Sequence, residues 1–175
     1  MKGAKSYENF PIWIVLLSTI LSLSTYAIGI YVLLGLGIPF AILYIIYILW
    51  LEVRLLKGSC IDCYYYGKVC AFGKGKLCAL FFKKGNPKRF VARKISMIDI
   101  LPDFLIFIFP IVGGVILLVA NFSWIITALL VILVVLSFGG TAVIRGSFAC
   151  KYCKQREIGC PAEKLFSKGK TRNRR

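Results

Sequence analysis

From Pro11 to Leu51 the chain reads PIWIVLLSTILSLSTYAIGIYVLLGLGIPFAILYIIYILWL, and no residue in it carries a charge. A helix rising 1.5 Å per residue needs about 20 apolar residues to cross a hydrocarbon core roughly 30 Å thick, so this stretch is two spans long. The glycines of Leu34-Gly35-Leu36-Gly37 mark the break, and Pro39 suits the first turn of the helix that follows. The pattern predicts helices over 11–33 and 38–54. A second uncharged stretch runs from Phe104 to Ile144 and breaks at Asn121-Phe122-Ser123, where Asn can end one helix and Ser can cap the next. It predicts two more helices, over 101–120 and 123–144, with Pro110 kinking the third.

The 175 residues are 59% apolar, carry 23 Lys and Arg against 7 Asp and Glu, and contain no His. That excludes a disordered chain and an ordinary soluble domain. The absence of His also removes an imidazole base, a Ser-His pair and a His metal ligand, and no catalytic group is assigned. Every Lys and Arg falls before Pro11, between Arg54 and Ile100, or after Ile144, and the turns at 34–37 and 121–123 have none. By the positive-inside rule both termini and the middle loop are cytoplasmic, in a multi-pass protein of the cell membrane. Trp13 and Trp50 then mark the cytoplasmic boundary and Trp124 the outer one. Lys2 and Lys5 ahead of an apolar run look like a signal peptide, but the run continues past Thr25-Tyr26-Ala27 and reads as a retained anchor.

Cys60, Cys63 and Cys70 are spaced C-x2-C-x6-C, and Cys150, Cys153 and Cys160 repeat that spacing 90 residues later. Two predicted helices precede each set. Leu80-Phe81 and Lys83-Lys84-Gly85 are echoed by Leu165-Phe166 and Ser167-Lys168-Gly169, and Phe10-Pro11 by Leu101-Pro102. The expected fold is an all-α integral membrane protein with four transmembrane helices in two parallel two-helix repeats, 1–90 and 91–175. The repeats share one orientation, related by a pseudo-twofold axis along the membrane normal.

Seven cysteines in cytoplasmic segments point to metal before disulfides. C-x2-C places two thiolates on a tight turn, and a third cysteine can return to build most of a tetrahedron. Zinc and iron–sulfur clusters accept all-thiolate shells, whereas calcium and magnesium require oxygen. The candidate ligands are Cys60, Cys63, Cys70, Cys78, Cys150, Cys153 and Cys160, with zinc favoured and an iron–sulfur cluster second. Two arrangements stay open. In one, Cys78 completes a four-thiolate site with Cys60, Cys63 and Cys70, leaving the second set as an open three-thiolate site. In the other, the two sets share a binuclear cluster.

The C-x2-C-x6-C spacing resembles the half-motif of fungal binuclear zinc-cluster DNA-binding domains, in which six thiolates hold two zinc ions. The resemblance covers 11 residues per half, with 79 residues and two membrane helices between the halves, and is one of ligand geometry, not kinship. Cys160-Pro161 is similar to the Cys-Pro that ends bacterial ferredoxin cluster motifs. Competing readings are palmitoylation of Cys60 beside the second span, and disulfides of the kind found in hyperthermophiles, which a single Gln (Gln155) would suit.

Gly67 to Gly75 superficially resembles a phosphate loop, but the spacer is one residue too long and Gly75 replaces the magnesium-binding Ser or Thr. Its glycines read as turns around a metal. Asp99 and Asp103 suit the positive end of the third helix dipole. Ser18, Ser22, Thr25 and Gly29 form a small-residue stripe for helix packing, with Gly113-Gly114 and Gly139-Gly140 serving the same purpose. The basic tail, Lys168 to Arg175, suits anionic lipid headgroups better than nucleic acid. The expectation is therefore a small multi-pass membrane protein with a cytoplasmic thiolate metal module in a structural or partner-docking role, with a protein partner or a second copy as its occupant. A redox protein carrying an iron–sulfur cluster and a small soft-metal transporter are the alternatives.

Overall fold

The computed structural model describes residues 6–93 and 96–161. The start of the chain, with Lys2, and the basic tail lie outside the described residues. Helix makes up 77% of the described residues, which include no strand. Among the described residues, four helices are long and apolar enough to cross a membrane: α1 (Ile12–Leu36), α2 (Ile38–Cys60), α5 (Met97–Ala120) and α6 (Trp124–Ala149). Two short helices, α3 (Lys74–Phe81) and α4 (Pro87–Ala92), lie between α2 and α5, and α7 (Lys154–Gly159) follows α6. Most large apolar side chains of the four long helices face outward, from Ile12 and Leu43 to Val119 and Ile125. Water would not tolerate that surface, whereas hydrocarbon does.

The break between the first two helices is one residue, Gly37, at φ 131°, a conformation that glycine alone adopts without strain. Pro39 follows in the first turn of α2. Gly29 lies against Tyr44 and Tyr26 reaches Glu52, so α1 and α2 run antiparallel. Gly35 and Gly113 meet Leu117 and Leu33 across the α1–α5 contact, so those two helices run parallel. Helix α1 packs against α2, α5 and α6, and its stripe faces inward: Ser18, Thr25 and Gly29 are buried. Gly114 meets Leu130 and Gly140 meets Leu21, while the position beside Gly139 is open.

Pro110 is fully buried inside α5 and cannot donate to the carbonyl of Ile106 one turn back. The Tyr44 hydroxyl donates to that carbonyl at 2.8 Å. A neighbouring helix thus satisfies the group that the proline leaves unpaired, as an apolar surround requires.

The helix ends depart from the sequence expectation in one direction. α5 starts four residues earlier than expected because Ser96 and Asp99 form a capping box, the Ser96 N–H donating to Asp99 at 2.9 Å. α2 runs on to Cys60 and α6 to Ala149, each finishing in a π-helical turn, Leu56–Cys60 and Ile144–Ala149. Arg54, Lys57 and Arg145 mark where apolar sequence stops, but charge does not end a helix. Ser123 stands at the start of α6 as expected, yet its carbonyl, not its hydroxyl, accepts the Thr127 N–H at 3.0 Å.

Candidate metal centre

Both cysteine sets begin where a long helix unwinds through its π-turn, and both form the same turn. The Cys63 N–H donates to the Cys60 carbonyl at 3.3 Å, and the Cys153 N–H to the Cys150 carbonyl at 3.4 Å. One step further, Tyr66 donates to the Cys63 carbonyl and Arg156 to the Cys153 carbonyl, each at 3.1 Å. The backbone N–H of Tyr65 also favours the charged form of Cys63, and those of Gln155 and Arg156 that of Cys153. Such donors stabilise a thiolate and orient it, which is the support a thiolate ligand needs from its surroundings.

The loops interlock through the residues that follow Cys63 and Cys153. The Tyr65 hydroxyl accepts the Lys154 N–H at 3.0 Å, and the Gln155 side-chain oxygen accepts the Tyr64 N–H at 2.7 Å. Tyr65 and Gln155 stand 90 residues apart, as do Tyr64 and Lys154, so each loop gives the other the same bond. Both side chains are buried, at 3% and 4% exposure. The segment before α1 fills the gap between the loops. Tyr7 donates to the Tyr152 carbonyl at 3.0 Å and accepts the Tyr65 hydroxyl at 2.6 Å, and Phe10 donates to the Val69 carbonyl at 2.9 Å. Phe10, Ile14, Tyr65, Ala71 and Ala149 form a buried cluster on which Cys63, Cys70 and Cys153 pack.

Cys78, on α3, is 0% exposed and its thiol lies 3.8 Å from the Leu56 carbonyl. Cys60 lies within electrostatic reach of Cys63, Cys70 and Cys78. Cys150 is exposed, and Cys160 half-buried ahead of a buried Pro161. Burial pushes the Cys63 thiol up to about 11 against the pull of the Tyr65 N–H, with Cys153, Cys70 and Cys160 adding to the rise. Burial raises Cys78 too, with Cys70 contributing. It also raises Cys153, opposed by the Arg156 and Gln155 N–H groups. All seven described cysteines are free thiols.

Among the described residues no group of three or more Cys, Asp or Glu side chains stands close enough to hold one ion. The four-thiolate site expected from Cys60, Cys63, Cys70 and Cys78 is therefore not assembled, nor is the trio Cys150, Cys153 and Cys160. The donor chemistry still fits a thiophilic ion: both turns are formed, backbone N–H groups favour the thiolate form of Cys63 and Cys153, and both sets stand at one end of the bundle.

Sequence reasoning missed Tyr65 and Gln155 as the clasp. The signal was present, since the chain's only Gln lies 90 residues after a Tyr, at the same place in the repeat. It also missed a polar knot just beyond the uncharged stretches. Glu52 accepts the Tyr26 hydroxyl at 2.9 Å and pairs with Lys74 at 2.6 Å. Asp103 sits beyond the first turn of α5 with one buried carboxylate oxygen that lacks a hydrogen-bond partner, so its role is not confined to the helix dipole. The chain matches no family model, no curated protein and no solved structure.

Proposed function

We propose that this is a four-span membrane protein whose two same-orientation halves bring their C-x2-C-x6-C loops together as one cytoplasmic thiolate metal module, with zinc as the ion. The observation that carries the reading is the matched pair of cysteine turns, clasped to each other through Tyr65 and Gln155. A pseudo-twofold axis between the halves accounts for that reciprocity. The ion's role is structural: it stiffens loops too small to hold a core of their own, presenting a rigid face for a protein partner or a second copy. The basic tail adds attraction to anionic headgroups, roughly 1 kcal/mol per charge near the surface.

The test is metal analysis with visible absorption on protein purified without oxygen. Zinc and a colourless sample are the expected result. A visible chromophore with iron and sulfide would replace zinc by the redox reading, and protein free of any metal would overturn the module altogether. Orientation rests on the one-sided distribution of Lys and Arg. Single cysteines placed at Lys2, Lys88 and Lys170, in a background without native cysteines, are expected to react only from the cytoplasmic side of sealed vesicles. Labelling of any of the three from outside would reverse or break the topology.

A further inference from the structure

Leu80 and Phe81 lie three and four residues after Leu77 on α3, so the three share one side of that helix. All three are exposed, Leu80 by 79% and Phe81 by 71%, while Gly75 and Cys78 on the far side are buried. Phe72, just ahead of the helix, is exposed as well. The chain around this apolar patch carries one sign of charge: between Asp62 and Asp99 it has nine Lys and Arg and neither Asp nor Glu. Lys76, Lys83 and Lys84 are exposed beside the patch. Whatever covers the patch has to accept apolar side chains and cations together.

The height of α3 in the bundle identifies that covering. Counting about 20 residues, the depth of a hydrocarbon core, from the turn at Gly37 reaches Leu17 on α1 and Lys57 on α2. The same count from Ser123 reaches Val143 on α6. The segment leading into α3, and α3 itself, are fastened at that height to all three helices. The Ser18 hydroxyl donates to the Ala71 carbonyl at 2.6 Å, and the Cys78 thiol lies 3.8 Å from the Leu56 carbonyl. The Arg145 guanidinium stands 5.6 Å from the centre of the Phe72 ring, and Lys74 pairs with Glu52 at 2.6 Å. A face left exposed there meets lipid at the level where acyl chains give way to headgroups.

We propose that α3 is an interfacial anchor: Leu77, Leu80 and Phe81 sit among the upper acyl chains of the leaflet on the cysteine-loop side, and Lys76, Lys83 and Lys84 reach its anionic headgroups. A lysine carries its charge on a long apolar stem, which lets one short helix serve both layers. The contact is separate from the basic tail and does not draw on the metal reading. Cys78 belongs to the buried side of the same helix, so the leaflet sets the height of the first cysteine loop. The Leu-Phe-x-Lys pattern of Leu80 to Lys83 recurs from Leu165 to Lys168, which gives the second half the same pairing of apolar and basic residues.

The test places a single tryptophan on the face, Leu80→Trp in full-length protein carrying Trp13→Phe, Trp50→Phe and Trp124→Phe. The protein is reconstituted into vesicles of phosphatidylglycerol and phosphatidylcholine, with lipids brominated high or low on the acyl chain to report depth. Expected are blue-shifted emission, loss of most of it to bromine near the headgroup, and a smaller loss to bromine near the bilayer centre. Ala79→Trp, on the side turned from Leu77 and Phe81, is expected to lose less. So is Leu80→Trp combined with Lys76→Gln, Lys83→Gln and Lys84→Gln, or placed in phosphatidylcholine alone. Both leaflets hold the same lipids, so the result does not depend on which way the protein faces. Phe81→Trp repeats the measurement should Leu80→Trp lack the helicity of the wild type. Emission typical of water, with no quenching at either depth, would overturn the anchor. Blue-shifted emission that bromine leaves untouched and that grows with the protein-to-lipid ratio would give the face to a second copy and overturn it too. Equal quenching in anionic and neutral vesicles would overturn the role of the lysines.

Discussion

Gly75→Ala is expected to disrupt the first cysteine loop. A methyl group at Gly75 would stand inside contact distance of the carbonyl oxygens of Tyr65 and Lys68. Both are backbone atoms, which cannot rotate aside as a flexible side chain would. The Gly67 N–H donates to the Gly75 carbonyl at 3.0 Å, so the chain segments are also tied at this point. Overpacking of this kind costs about 3 kcal/mol, the upper part of the usual range, because the strain falls on main chain. For a chain of this size that lowers Tm by roughly 6–12 °C. Displacing Tyr65 also removes its bonds to Tyr7 and Lys154, so metal retention should fall with stability. Gly139→Ala is the matched control, with nothing near the added methyl. Equal melting of Gly75→Ala and wild type in detergent would refute the packing argument.

Gln155→Leu is expected to separate the loops without disturbing either helix pair. Gln155 is buried, its oxygen accepting the Tyr64 N–H at 2.7 Å and its nitrogen donating to the Gly159 carbonyl at 3.1 Å. Leucine keeps much of the volume but leaves the half-buried Tyr64 N–H and Gly159 carbonyl without their partner, each bond being worth about 1 kcal/mol. Tyr65→Phe acts on the same junction from the other side, removing the hydroxyl that donates to Tyr7 and accepts from Lys154. Both variants should lower Tm by several degrees, and the double variant by less than the sum. Once one clasp has let the loops part, the other has nothing to hold. Full additivity in the thermal melts would mean that the two bonds act on independent elements.

The long helices were legible because their signal is redundant. Forty-one residues without a charge, twice over, admit few alternatives, and Gly37, Pro39 and Asn121 mark the turns in residues whose backbone preferences are strong. Helix ends were less legible. Sequence polarity reports where hydrocarbon would stop, whereas α2 and α6 continue through Arg54, Lys57 and Arg145 to the cysteines. Asp99 read as a charge favouring the helix dipole and proved also to be half of a capping box with Ser96. The cysteine spacing showed where ligands sit along the chain, but spacing carries no information on whether two loops 90 residues apart meet.

Taken alone, the amino-acid sequence determined the all-helical class, the four apolar helices, the turn residues between them and the two matched cysteine sets. These are local or periodic properties, set by the side chains within a few turns of each residue. The tertiary structure alone decided that the Tyr44 hydroxyl serves the carbonyl freed by Pro110, that Gly75 lies against the Tyr65–Lys68 backbone, and that Tyr65 and Gln155 exchange bonds between the loops. Each of these joins groups far apart in the chain. The bonds exist because packing removes water from both partners at once, and no local pattern of residues encodes which distant group will arrive to replace it.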